Sequence, residues 1–255
     1  MKLAAVNLKS YFGHRAALNW CRTVADRVVA DGLLDDRLDL LICPAATELA
    51  AASDPLRAAG IRLGGQFGNG QADGAHTGST SMDVLAELGA TAVVVGHAER
   101  RREFAEDDAQ IAAQLRRAVD AGLVPLLCVG EIDRGPAVRA ADLVAVQIDA
   151  VTDQLGAPVV IAYEPVWAIG ATEAASPDHV NEVCRRLRPD LRHSDSRIIY
   201  GGTAGPGSWA PLGGVVDGLF LGRRVHDPCD LLAVLREMRS DPSNDCPHRA
   251  EDEGS

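Results

Sequence analysis

Short apolar runs rich in β-branched residues recur along the chain: LAAVNL at 3 to 8, LDLLI at 38 to 42, IRLGG at 61 to 65 and TAVVVG at 91 to 96. Four more follow, VPLLCVG at 124 to 130, PVVIAYE at 158 to 164, RIIYGG at 197 to 202 and DGLFLG at 217 to 222. Between them lie segments such as AALNWCRTVADRVV, DDAQIAAQLRRAVDAG and VRAADLVAVQIDAVTDQLG, with apolar residues at helical spacing and glycine near the C-cap. The pattern predicts eight strands alternating with helices. Near-continuous apolar strands are buried on both faces, which implies a parallel sheet.

An eight-fold alternation fits one closed (β/α)8 barrel, and an open doubly wound sheet is the competing topology. The first strand-to-helix turn lacks GxGxxG, which argues against dinucleotide binding. The length of 255 residues suits a single barrel of about 250 residues. No internal repeat or linker divides it, so residues 1–238 are read as the barrel domain. Residues 239–255, RSDPSNDCPHRAEDEGS, are polar with almost no large apolar side chains and are expected to be a disordered tail.

Composition narrows the function classes. A net charge of −11 argues against nucleic acid or an anionic membrane as partner, while leaving room for a small anionic ligand held by backbone amides and one lysine. The cysteines, Cys21, Cys43, Cys128, Cys184, Cys229 and Cys246, show neither a CxxC pair nor zinc spacing and read as reduced thiols of a cytoplasmic protein. The start, MKLAAVNLKSYFG, has too short an apolar run for a signal peptide or a membrane span and reads as a first strand.

In such a barrel the site lies where the strands end. Strand one ends Asn7-Leu8-Lys9, with Asn7 and Lys9 on one side by the period of two. Strand four ends at Gly96-His97, strand five at Cys128 to Glu131, strand six at Glu164-Pro165, and the last two at Gly201-Gly202 and Gly222. Singly, each has an ordinary reading as a solvated lysine, a hydrogen-bonded histidine, a helix-capping glutamate or a turn glycine. Jointly, at matching ends of different strands, they describe a site for a phosphorylated carbonyl compound. The stretch AYEPVWAIGATEAASP at 162 to 177 adds a glutamate pinned by a proline ahead of a glycine-bearing loop.

The segments VVVGHAERR (93 to 101), LLCVGE (126 to 131), AYEPVWAIG (162 to 170) and RIIYGG (197 to 202) resemble, in order and spacing, the signature blocks of the triosephosphate isomerase family, and NLK at 7 to 9 resembles its first-strand block. The resemblance spans residues 3 to about 238 and implies a TIM barrel that moves a proton between adjacent carbons of a sugar phosphate through an enediolate. Residue by residue, it implies Glu164 as general base, His97 as the electrophile on the substrate oxygens, Lys9 as the balancing cation and Asn7 as a neutral donor. Glu99, paired with Lys9, would hold the site in shape with Cys128 and with an Arg101–Glu131 pair. Phosphate would lie against the amides of Gly170, Thr203 and Gly222, with Gly201 and Gly202 allowing close approach. Residues 165 to 175 would form a lid whose first part is Pro165, Val166, Trp167, Ala168 and Ile169. No metal or organic cofactor is implied. Thr77, in the loop GAHTGSTS at 74 to 81, resembles the residue that enters the neighbouring subunit's site, which implies a homodimer.

Four departures bear on the substrate. Ala98 stands where the family has serine, the lid reads Ala171 to Ala175 instead of TGKTA, Arg223 replaces a glycine beside the phosphate amides, and Ser79 replaces an acidic residue. The Gly222-Arg223 pair resembles the branch that isomerises four-carbon tetrulose phosphates such as L-erythrulose 1-phosphate. The expectation is therefore an isomerase of that substrate, with triosephosphate isomerase itself as the alternative and a silent sugar-phosphate binder as a third reading.

Overall fold

The computed structural model describes residues 1–188, 191 and 193–240. Eight parallel strands close a barrel in chain order: β1 (Lys2–Asn7), β2 (Leu38–Cys43), β3 (Arg62–Gly65), β4 (Ala90–Val95), β5 (Val124–Val129), β6 (Val160–Tyr163), β7 (Arg197–Tyr200) and β8 (Gly218–Leu221). The ring is sealed where β8 pairs with β1, Leu3 opposite Gly218 and Val6 opposite Leu221. Gly218 is required there, because a Cβ on it would sit 1.9 Å from the Leu3 carbonyl oxygen.

Alternation along each strand divides the apolar residues into two cores. Leu3 and Ala5, Ala92 and Val94, Leu126 and Cys128, Val160 and Ala162, Ile199 and Phe220 fill the barrel interior. Their neighbours, such as Ala4, Val6, Val93, Val95, Leu127 and Ile161, face the helices. Extending the inner rows upward places Asn7 above Ala5, Gly130 above Cys128, Glu164 above Ala162, Gly201 above Ile199 and Gly222 above Phe220. The site is thus the polar continuation of the same rows that make the dry interior.

The helices are α1 (His14–Ala30), α2 (Leu49–Ala58), α3 (Met82–Glu87), α4 (Ala98–Glu103), α5 (Asp108–Asp120), α6 (Ala137–Thr152), α7 (Pro177–Leu187) and α8 (Pro228–Ser240). In α1 the residues Ala17, Trp20, Cys21, Val24 and Val28 recur at helical spacing and form the buried face. A capping box between Asp107 and Gln110 starts α5, and Ser176 with Pro177 at the first position starts α7.

Strict alternation fails in two places. The β4-to-β5 crossover carries both α4 and α5, while among the described residues no α-helix stands between β7 and β8. The connection from 201 to 217 contains Pro206, Pro211 and four glycines after Gly202, composition that disfavours a helix. It instead turns on itself, with Leu212 and Gly213 donating to the Trp209 carbonyl at 2.9 Å, and packs Trp209 into the outer core. At the far end α8 runs through Arg239 and Ser240, so those two residues of the expected tail are helical. Residues 241–255 lie outside the described part.

Candidate active site

At the C-terminal mouth of the barrel a cavity of about 390 Å³ is lined by Asn7, Lys9, His97, Glu99 and Glu164 on one side and by Gly170, Thr203, Gly222 and Arg223 on the other. The structure therefore brings the residues expected from strands one, four, six and eight into one chamber.

Lys9 leaves β1 in the left-handed region at φ 50°, a conformation that strains a residue carrying a Cβ. The strain is held from several directions: Asn7 Oδ1 accepts from the Lys9 amide at 2.9 Å, and Gln66 Nε2 donates to the Lys9 carbonyl at 3.1 Å. Lys9 Nζ then donates to Glu99 Oε1 at 2.7 Å. Burial acts to raise the Glu99 carboxyl, but the hydrogen bond and charge of Lys9 prevail and hold it below the ordinary carboxylate range.

His97 is buried and begins α4. Its Nδ1 accepts from the Glu99 amide at 3.1 Å, so the lone pair lies there and a neutral ring carries its proton on Nε2. That Nε2 faces Glu164 Oε2 at 3.7 Å, and neither atom has a hydrogen-bond partner among the described residues. A donor and an acceptor, both buried, therefore converge on the same space.

Glu164 follows β6, its amide bonded to the Val129 carbonyl at 2.8 Å. Two glycines make room for it. A Cβ on Gly201 would lie 2.5 Å from Glu164 Cγ, and one on Gly130 would lie 1.9 Å from its carbonyl oxygen. Oε1 accepts weakly from the Gly202 amide at 3.3 Å. Beneath it, burial pushes the Cys128 thiol well above the usual thiol range, helped by the Glu164 charge and by a hydrogen bond to that carboxylate. Cys128 thus stays a neutral thiol under the glutamate.

On the far side, Thr203 Oγ1 donates to the Ala168 carbonyl at 2.6 Å, tying the expected lid to the turn after β7. Pro165 is extended (φ −51°, ψ 114°), and Val166–Ala168 form one 3-10 turn. Trp167 Nε1 donates to Glu131 Oε1 at 2.8 Å, and the Val166 amide donates to the Glu131 carbonyl at 2.9 Å. Glu131 is almost fully buried and also accepts from Tyr163 at 3.1 Å and lies 3.2 Å from His179 Nε2. Arg223 opens a second 3-10 turn, Arg223–Val225; its carbonyl accepts from the His226 amide at 3.2 Å, while its exposed guanidinium has no hydrogen bond or ion pair among the described residues.

One expected pair is not formed. Arg101 turns to the Gly96 carbonyl at 3.2 Å and to Asp108 at 2.8 Å, because Glu131 is already saturated by its three other donors. Thr77 lies exposed on the 74–81 loop and does not line its own chain's cavity. The pattern reading did not mark Tyr11, Arg102 or Arg224, which line the chamber, nor Tyr163 and His179. Tyr163 was findable as the outward neighbour of Glu164; a lone histidine two residues into a helix carries no such signal.

Among the described residues no group of three or more His, Cys, Asp or Glu is placed to hold a metal ion, and no helix is long and apolar enough to cross a membrane. The five described cysteines are unpaired.

A family model described as triosephosphate isomerase matches residues 2–238. The L-erythrulose-1-phosphate isomerase of Pectobacterium atrosepticum is 40% identical over 242 residues, covering 91% of this chain and 93% of that protein. The triosephosphate isomerases of Xanthobacter autotrophicus and Ruegeria pomeroyi are each 39% identical, over 81% and 93% of this chain and 85% and 97% of their own lengths.

Proposed function

The chain belongs to the triosephosphate isomerase family and is an isomerase, and on that premise we propose that it interconverts short ketose phosphates by proton transfer at Glu164, with a four-carbon tetrulose phosphate as substrate. The observation that carries the mechanism is the pair of unpartnered buried atoms, His97 Nε2 and Glu164 Oε2, facing each other at 3.7 Å across the chamber. Glu164 takes the proton from the carbon beside the carbonyl, leaving an enediolate. His97 donates from Nε2 to the oxygens in turn, and Glu164 returns the proton to the neighbouring carbon. In L-erythrulose 1-phosphate the carbonyl thereby moves between the two inner carbons.

Lys9 and Asn7 offset the charge that develops on the oxygens, and the strained, doubly held backbone of Lys9 keeps its ammonium aimed without reorganisation. The Cys128 thiol beneath Glu164 and the glycines beside it keep the base in reach. Phosphate rests against the turns at Gly170, Thr203, Gly201-Gly202 and Gly222, the usual place after strands seven and eight. Closure of residues 165–175 excludes water and prevents the enediolate from expelling phosphate.

Arg223, the altered lid and the Pectobacterium relative support the four-carbon substrate; the two triosephosphate isomerase relatives support glyceraldehyde 3-phosphate as the alternative. We read the active form as a homodimer in which Thr77 reaches the neighbour's site, acting in the reducing cytoplasm that free thiols suit. The substrate is tested by measuring kcat/KM on both sugars side by side. A tetrulose value several hundredfold above the triose value is expected. A triose value of about 10⁷ to 10⁸ M⁻¹s⁻¹ would sink the tetrulose reading.

A further inference from the structure

We infer that His179 is a positioning residue that clasps the returning end of the lid onto Glu131, an inference that rests on the isomerase reading above. Glu131 Oε1 receives Trp167 Nε1 at 2.8 Å and lies 3.2 Å from His179 Nε2. Trp167 precedes the lid tip and His179 follows it, so residues 168–178 leave from and return to one carboxylate oxygen.

The direction of the His179 bond follows from its neighbours. A carboxylate oxygen only accepts, and Tyr163, 3.1 Å from His179 Nε2, directs its own proton to Glu131 Oε2 at 3.1 Å. His179 Nε2 therefore carries a hydrogen and donates. Ser176 Oγ accepts from the His179 amide at 3.3 Å, which fixes the first turn of α7, and the imidazole meets the Trp167 ring edge-on with centroids 5.8 Å apart. The side chain is only 12% exposed. Both ends of the lid are thereby anchored to one oxygen, which lowers the entropic cost of bringing the tip down on phosphate.

A clasp of this kind acts only on what the lid grips. His179→Leu removes the donor, whereas His179→Gln keeps an N–H in reach of Oε1. Each variant and the parent are assayed on the phosphorylated ketose for kcat, KM and inorganic phosphate release, and on unphosphorylated erythrulose for exchange of its α-hydrogen in D2O. Expected for His179→Leu is a drop of about tenfold in kcat/KM on the phosphorylated sugar with a raised share of phosphate release. Exchange on the unphosphorylated sugar stays unchanged, and His179→Gln stays within about twofold of the parent on both.

Equal losses on both sugars would overturn the inference in favour of a merely structural histidine, and so would a Leu variant that matches the parent. If His179→Leu does not fold, His179→Asn, whose amide is too short to reach Oε1, takes its place with the same two outcomes. A parent that turns over no ketose phosphate would overturn the isomerase reading and this inference with it, a result distinct from an active parent whose variants are unaffected.

Discussion

Glu131 and Glu164 end adjacent strands and are buried to nearly the same degree, at 2% and 6% exposure, yet the chain treats them in opposite ways. Glu131 is saturated by the Trp167 indole, the Tyr163 hydroxyl and the His179 ring. Glu164 receives one long amide contact, and its Oε2 has no partner among the described residues. A buried carboxylate with all its donors supplied is a fastener. One left short of donors, opposite an equally unpartnered N–H, holds its acceptor strength ready for a substrate proton.

The sharpest way to break this contrast is Glu164→Gln. Steady-state turnover is expected to fall by about 10³-fold or more while the melting temperature changes little. A protein that kept its rate would not be using Glu164 as a base, and one that lost its rate but kept a biological effect would fit the silent binder. Gly201→Ala probes the space given to the same side chain. A Cβ 2.5 Å from Glu164 Cγ must displace it, and kcat/KM is expected to drop about 10²-fold.

Glu131→Gln tests the other half of the contrast. An amide nitrogen would face at least one of the three donors, costing about 1–3 kcal/mol in urea unfolding, with kcat reduced by about tenfold or less. A rate loss equal to that of Glu164→Gln would erase the distinction between the two glutamates.

Buried acids for which no donor set is supplied extend the comparison to the thiols. Burial pushes Cys21, Cys43 and Cys184 up from 9.0 to about 12, and Cys128 well above its usual range. Raised folded values mean that this stability is fully present below about pH 9 and is lost as pH rises toward 12. Each thiol removes about 1.4 kcal/mol per pH unit across that window. Urea midpoints measured from pH 8 to 11 should fall progressively, and Cys43→Ser, which lacks the ionisation, should shallow the slope.

The pattern of apolar runs was enough to place all eight strands, and the period of two was enough to put Asn7 and Lys9 on one side, because both follow from local geometry alone. The β7-to-β8 connection departed from the alternation where prolines and glycines outweighed the repeat, and α8 ran past the expected boundary because Arg239 and Ser240 still complete its last turn. Arg101 and Glu131 failed to pair for a non-local reason: three donors from β6, the lid and α7 had already taken the carboxylate. The same separation of 48 residues between Glu131 and His179 is why a helix-start histidine looked ordinary in the sequence.

The seam between β1 and β8 has a kinetic meaning. Asn7 and Lys9 come from the first strand and Gly222 and Arg223 from the last, so no partly wound intermediate holds both walls of the chamber. Enzymatic activity regained during refolding therefore times the zipping of Leu3 against Gly218, while circular dichroism, which sees helices earlier, should run ahead of it.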